Sequence, residues 1–197
     1  MIRPALKTDS FSLAKLHLET LATSFLASLG LHFLRNLYTF LIQKERVWVY
    51  VENNEVTGFV SFSENSSGMM KRFLFNSHFC IILLVLITIV QPANLKRLVE
   101  TFQAPFKSKK AKNLISLPSA ELLSISVSPN CQASGIGSQL VKALEEYLRH
   151  NKIKHYKVVA GKELIGANKF YLKNGFVLAT QIRIHGEKLS NVYIKNI

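Results

Sequence analysis

A length of 197 residues suits one well-buried domain, and a hydrophobic content of 48% places the chain among globular proteins. Its two cysteines, Cys80 and Cys131, lie far apart without metal spacing. They exclude a secreted disulfide framework and point to a reducing, cytoplasmic setting, and the opening Met1-Ile2-Arg3-Pro4 shows no apolar core of a targeting peptide. The formal charge of +13 is high enough to attract phosphorylated ligands, anionic lipid or nucleic acid.

In chain order, Met1 to Pro4 suits a short strand. Asp9 or Ser10 can cap a helix running through Phe11, Leu13, Ala14, Leu16, Leu18 and Leu21. Gly30 precedes a second helix, whose apolar stripe through Phe33, Leu34, Leu37, Tyr38 and Leu41 is wide enough to pack on a sheet. Val47 to Val51 and Val56 to Phe62 read as strands joined in a hairpin across Asn53-Asn54. Leu122, Leu123, Ile125 and Val127 suit a further strand, which Pro129 and Asn130 break. From Ser138 the positions Leu140, Val141, Leu144 and Leu148 recur at helical spacing.

Between that strand and that helix stands Gln132-Ala133-Ser134-Gly135-Ile136-Gly137-Ser138. Gly135 and Gly137 allow positive φ and close approach of a ligand, and the first-turn N–H groups of the helix favour an anion. On the glycines alone, a tight turn of any α/β protein is the plainer reading. A P-loop is excluded because no Gly-Lys-Ser/Thr follows, and a dinucleotide fingerprint because the third glycine is missing. What remains resembles the pyrophosphate loop of the GNAT N-acetyltransferases, Gln/Arg-x-x-Gly-x-Gly/Ala, with its preceding strand and following helix. Ala167-Asn168-Lys169-Phe170-Tyr171, ending at Gly175-Phe176, resembles the family's later motif, about thirty residues behind the loop. Gly175 suits a helix stop, and the residues after it suit strands.

The resemblance implies an α/β fold: a central mixed seven-stranded sheet flanked by helices, in a single domain spanning 1–197. Within it, residues 120–127 are the fourth strand, 154–160 the fifth, and 176–184 and 191–195 a pair at the far edge. It also implies acetyl-coenzyme A as acyl donor. Backbone groups of Ile125, Ser126 and Val127 would meet its pantetheine arm, and the N–H groups of Gln132, Ala133, Ser134, Gly135, Ile136, Gly137 and Ser138 its pyrophosphate. The Ile125 N–H is the candidate for polarising the thioester carbonyl. Many family members carry an Asn where this chain has Leu164, and Asn168 is the candidate to replace it.

Glu121 lies eleven positions before Gln132, the separation found for the catalytic Glu in the family's histone-acetylating branch, and is the candidate base. A solvated charge at a strand end is its plainer reading. Tyr171 matches the family tyrosine that protonates the departing thiolate; as a plainer alternative it is a core aromatic. The six histidines show no ligand spacing, so no metal is expected. The implied activity is direct N-acetylation of a primary amine, of a small molecule or amino sugar rather than a protein. The alternative is a non-catalytic acyl-coenzyme A-binding module attached to a membrane or a partner.

Residues 68–117 fall outside the family core and read as an insertion between the third and fourth strands. Lys71, Arg72, Lys96, Arg97, Lys107, Lys109, Lys110 and Lys112 stand there against Glu100. Phe73 to Val90 carries no formal charge and is borderline in length for a membrane helix. A span would separate strands that must pair in one sheet, so spanning is excluded. A helix buried under the domain, at a homodimer interface, or in contact with a membrane surface through 71–97 are the remaining readings. The chain lacks interleaved exposed aromatics and any helix-turn-helix signal, so nucleic acid is not an expected partner.

Overall fold

The computed structural model describes residues 1–76, 117–185 and 188–197. In chain order the elements are β1 (Ile2–Pro4), α1 (Ser10–Thr20), α2 (Phe25–Ser28), α3 (Gly30–Lys44), β2 (Arg46–Glu52), β3 (Glu55–Ser63) and α4 (Met69–Asn76). After them come β4 (Glu121–Val127), α5 (Ile136–His150), β5 (His155–Gly161), α6 (Ile165–Lys173), β6 (Val177–His185) and β7 (Lys188–Asn196). The α/β class and the seven strands of its sheet are as expected. The residues group into two compact units, 1–64 with 120–154 and 197, and 65–119 with 155–196.

In the first unit β1, β2, β3 and β4 are successive antiparallel neighbours. Asn53 and Asn54 both take positive φ, 49° and 63°, as a two-residue hairpin turn requires for its twist to match the strands. Gly58 and Phe59 point to opposite faces because side chains alternate along a strand. Phe59 meets the Tyr38 ring of α3 at 5.2 Å, while a Cβ at Gly58 would stand 3.1 Å from Ile136 and 3.3 Å from Leu140 of α5. Thus α1 and α3 cover one face, and Gly58 lets α5 lie close against the other. Leu13, Leu34, Val49, Phe59, Leu122, Leu140 and Leu144 are fully or almost fully buried there, which supplies the hydrophobic driving force of the unit.

Asp9 stands at the start of α1 but does not cap it. Its carboxylate accepts from the Leu6 N–H at 2.7 Å and pairs with Arg3 at 2.7 Å, closing the 3-10 turn Lys7–Asp9 onto β1. The Arg3 hydrogen bond holds the Asp9 pKa below the usual carboxylate value. The short helix α2 was not expected; Ser24 caps it by accepting from the Ala27 N–H at 3.1 Å.

In the second unit β7 pairs with both β5 and β6, antiparallel in each case. The rings of Tyr156, Phe176, Tyr171 and Tyr193 form its aromatic core, with successive centroids 5.2, 5.4 and 5.9 Å apart. Helix α4 is the main described part of the expected insertion; Phe73 is buried and Phe75 is exposed. Residues 77–116, which carry most of the apolar run, the greater part of the expected 71–97 membrane contact and most of the basic patch, lie outside the described residues. Among the described residues no helix is long and apolar enough to cross a membrane.

Candidate active site

Strand β4 offers one of its edges to β3, and the alternation of backbone groups decides which residues do so. The Ser128 N–H donates to the Thr57 carbonyl at 2.7 Å, and Ser126 is the partner of Phe59. Counting by twos, Ser126 turns its N–H and C=O toward β3, while Ile125 and Val127 turn theirs to the opposite edge. The two residues expected to meet pantetheine through their backbone therefore point away from β3. Ser126 does not share that role. Its backbone is spent on β3, and its hydroxyl donates to Thr20. One extra residue at Leu123 forms a bulge, because Phe62 pairs with Leu122 while Ser61 pairs with Ser124. Bulges re-aim a strand next to functional sites. Glu121 lies just before this bulge, half-buried and opposite Ser63.

The loop after β4 is built to leave donors open. The N–H groups of Cys131 and Gln132 close a 3-10 turn onto Ser128 and Pro129, and the first α5 bond is Gln139 to the Gly135 carbonyl at 3.1 Å. Between them, no backbone N–H from Ala133 to Ser138 is bonded to a carbonyl of the described residues. Gly135, with φ +83°, ends the loop as the N-cap, and Ala133 also takes a positive φ of 63°. Left-handed backbone at alternate residues tilts successive N–H groups into an anion-binding concavity, which the α5 dipole reinforces. Ala133, Ser134 and Gly135 are exposed, whereas the Ile136 side chain is buried and anchors the helix start beside Gly58.

Two expectations for this loop change. Gly137 lies in the first turn of α5 without positive φ, so its backbone needs no glycine-only conformation. Gln132 belongs to the brace rather than to the open donors: its N–H serves Pro129, and its side chain donates to the Val127 carbonyl at 3.3 Å.

In the second unit, Tyr171 is 6% exposed among Phe170, Phe176 and Tyr193. Its hydroxyl forms no hydrogen bond among the described residues, and burial pushes its pKa upward, so it stays protonated at neutral pH. Asn168, expected to meet the pantetheine arm, lies on the same helix and is bonded within the fold. Its amide donates to the carbonyls of Leu164 at 2.7 Å, Gly161 at 2.9 Å and Lys162 at 3.4 Å. Its oxygen accepts from Asn191 and from the Tyr193 hydroxyl, each at 2.8 Å. Every position of that carboxamide is filled from within the fold.

Sequence reasoning also missed polar residues behind β4. His17, grouped above with histidines lacking ligand spacing, is buried and binds the Tyr38 hydroxyl at 2.8 Å and the Ser24 hydroxyl at 3.0 Å. The available signal was a histidine on the buried face of α1 opposite a tyrosine in the α3 stripe. Among the described residues, no cluster of His, Cys, Asp or Glu could hold a metal ion.

Residues 99–176 match the Acetyltransferase (GNAT) family. Its fold is similar to that of an N-acetyltransferase from Staphylococcus aureus, at 17% identity over 99% of this chain and 100% of that one, with a TM-score of 0.62. It is equally similar to ribosomal-protein-alanine N-acetyltransferase from Brucella melitensis, at 16% identity over 100% and 99% of the two chains and a TM-score of 0.62. PaiA N-acetyltransferase from Thermoplasma acidophilum, in complex with coenzyme A, matches at 13% identity over 100% and 98%, again with a TM-score of 0.62. Identities this low speak for the fold alone. Among curated proteins none matches the sequence. Acetyl-coenzyme A is the acyl donor of the family, and the open donors from Ala133 to Ser138 suit its diphosphate.

Proposed function

We propose that this protein transfers acetyl from acetyl-coenzyme A directly to the primary amine of a small molecule, amino sugars included. The carrying observation is the run of N–H groups from Ala133 to Ser138 without a carbonyl partner among the described residues, beside a strand whose Ile125 and Val127 backbone faces away from β3. Backbone donors of this kind recognise a diphosphate and an extended amide-bearing arm without help from any particular side chain. The Ile125 N–H, directed to that edge, would stabilise the charge that grows on the thioester oxygen as the amine attacks. Glu121 takes a proton from the ammonium form of the acceptor, since only the neutral amine is a nucleophile. Tyr171, kept protonated by its burial, gives its proton to the departing thiolate.

The test is a panel of small primary amines, following release of free thiol, with calorimetry of acetyl-coenzyme A binding alongside. Tyr171→Phe is expected to lower kcat about 10- to 100-fold with acetyl-coenzyme A affinity within about twofold, and Glu121→Gln to act similarly on acceptors that arrive protonated. Tight acetyl-coenzyme A binding without thiol release for any amine would instead leave a non-catalytic binding module.

A further inference from the structure

Polar side chains in a helix-on-sheet core cost free energy unless each finds a partner. The first unit contains a line of them through its core. From the strand outward, the Ser124 hydroxyl lies 3.4 Å from the Tyr38 hydroxyl, which lies 2.8 Å from His17 Nδ1, and His17 Nε2 lies 3.0 Å from the Ser24 hydroxyl. The middle is dry, with His17 at 2% and Tyr38 at 1% exposure, but Ser124 and Ser24 at the ends are only half-buried. Three polar groups nearby, Thr20, Ser126 and Ser61, are closed instead. Thr20 accepts from Ser126 and donates to the Leu16 carbonyl, and among the described residues the buried Ser61 hydroxyl bonds to Ser124, at 2.6 Å to its hydroxyl and 3.3 Å to its carbonyl. A line running from one half-buried hydroxyl to another through two buried groups is a conduit rather than a patch.

We propose that Ser124, Tyr38, His17 and Ser24 are a proton relay that carries one proton from the acceptor amine at β4 to solvent, an inference that rests on the amine-acetylating reading above. One assignment of hydrogens makes the direction uniform: Ser124 donates to Tyr38, Tyr38 to His17 Nδ1, and His17 Nε2 to Ser24. An ammonium acceptor loses two protons on becoming an amide, one before attack and one from the adduct. Glu121 takes one. For the other, the nitrogen gives a proton to Ser124 as Ser124 passes its own to Tyr38, Tyr38 its own to Nδ1, and Nε2 its proton to Ser24 and then to water. Each group ends with the number of protons it began with, and His17 ends as the other tautomer. With water at both ends between turnovers, one hop in the opposite direction restores it. Burial holds the His17 pKa down at about 4, so the ring passes a proton on rather than storing it.

Two measurements test the relay separately from the transfer reading. In the ligand-free native chain, the His17 ring N–H is expected to exchange with water at least about tenfold faster than the core amide of Leu34, as followed by isotope-edited NMR. The double variant Ser24→Ala, Ser124→Ala is expected to slow it to the rate of that amide. A native ring proton that exchanges no faster than Leu34 overturns the proposal, whatever the chain acetylates. In turnover, Tyr38→Phe keeps the ring and removes the link. It is expected to lower kcat about tenfold or more, leave acetyl-coenzyme A affinity within about twofold, and raise the solvent deuterium isotope effect on kcat. An unchanged isotope effect and kcat overturn the relay while leaving acetyl transfer standing; absence of transfer to any amine removes the transfer reading and leaves the exchange result to judge the relay.

Discussion

The loop after β4 and the start of α6 handle polar groups in opposite ways. From Ala133 to Ser138 the backbone donors are left open and largely exposed, in a segment with few side chains able to recognise anything. Around Asn168, by contrast, the carboxamide, Asn191, Tyr193 and Gln181 saturate one another, the last link being Gln181 to Asn191 at 2.8 Å. Unspent hydrogen-bonding capacity leaves a place open to a ligand, and spent capacity holds the fold. A polar side chain in a family motif is therefore weaker evidence of ligand contact than an orphaned amide.

The comparison breaks most visibly at Asn168. Asn168→Ala strips partners from the buried Asn191 amide and Tyr193 hydroxyl and from the carbonyls at the start of α6. The expected loss is about 3 kcal/mol of stability in urea denaturation. Acetyl-coenzyme A affinity of the folded fraction is expected to stay within about twofold. A large fall in affinity at unchanged stability would return Asn168 to the ligand site.

The buried relay gives the next largest effect, through pH. His17 titrates at about 4 in the folded chain against an ordinary value of 6.5, so between those values the unfolded chain binds more protons than the folded one. Stability then rises with pH across that window and is lost as the pH falls from 6.5 toward 4. Between pH 7 and pH 5 the loss from this group is about 2 kcal/mol. Urea denaturation at both values checks it, and His17→Gln is expected to remove this increment of the slope.

Much of the frame was legible in the sequence because it rests on patterns of short range. Period-two apolar runs mark β2, β3 and β4, Asn53-Asn54 marks their hairpin, and Gly175 marks the end of α6. The Gln132 to Ser138 segment announced a loop entering a helix. What stayed hidden depends on the third dimension. A one-residue bulge at Leu123 leaves no trace in a run of Leu, Leu, Ser and Ile. Tyr38 reads as one more member of an apolar stripe until His17 and Ser124 are seen beside it. Asp9 reads as a helix cap until Arg3, six positions back on β1, claims its carboxylate.

Within the loop, the glycine and the cysteine separate backbone function from side-chain presence. At Gly135 an added Cβ meets no atom of the described residues within 4 Å, so Gly135→Ala is expected to carry the cost of φ +83°, about 1 kcal/mol in stability. Relief of that strain swings the adjoining N–H groups apart, and acetyl-coenzyme A affinity is expected to fall about tenfold by calorimetry. Cys131 is the control with the smallest effect. Among the described residues its Sγ makes a 3.7 Å contact to Glu52, and its N–H is already spent on Ser128. Cys131→Ser is expected to change stability by less than about 0.5 kcal/mol and affinity by less than about twofold. A tenfold loss there would mean that the thiol itself meets the ligand, and recognition would then no longer be a property of the backbone alone.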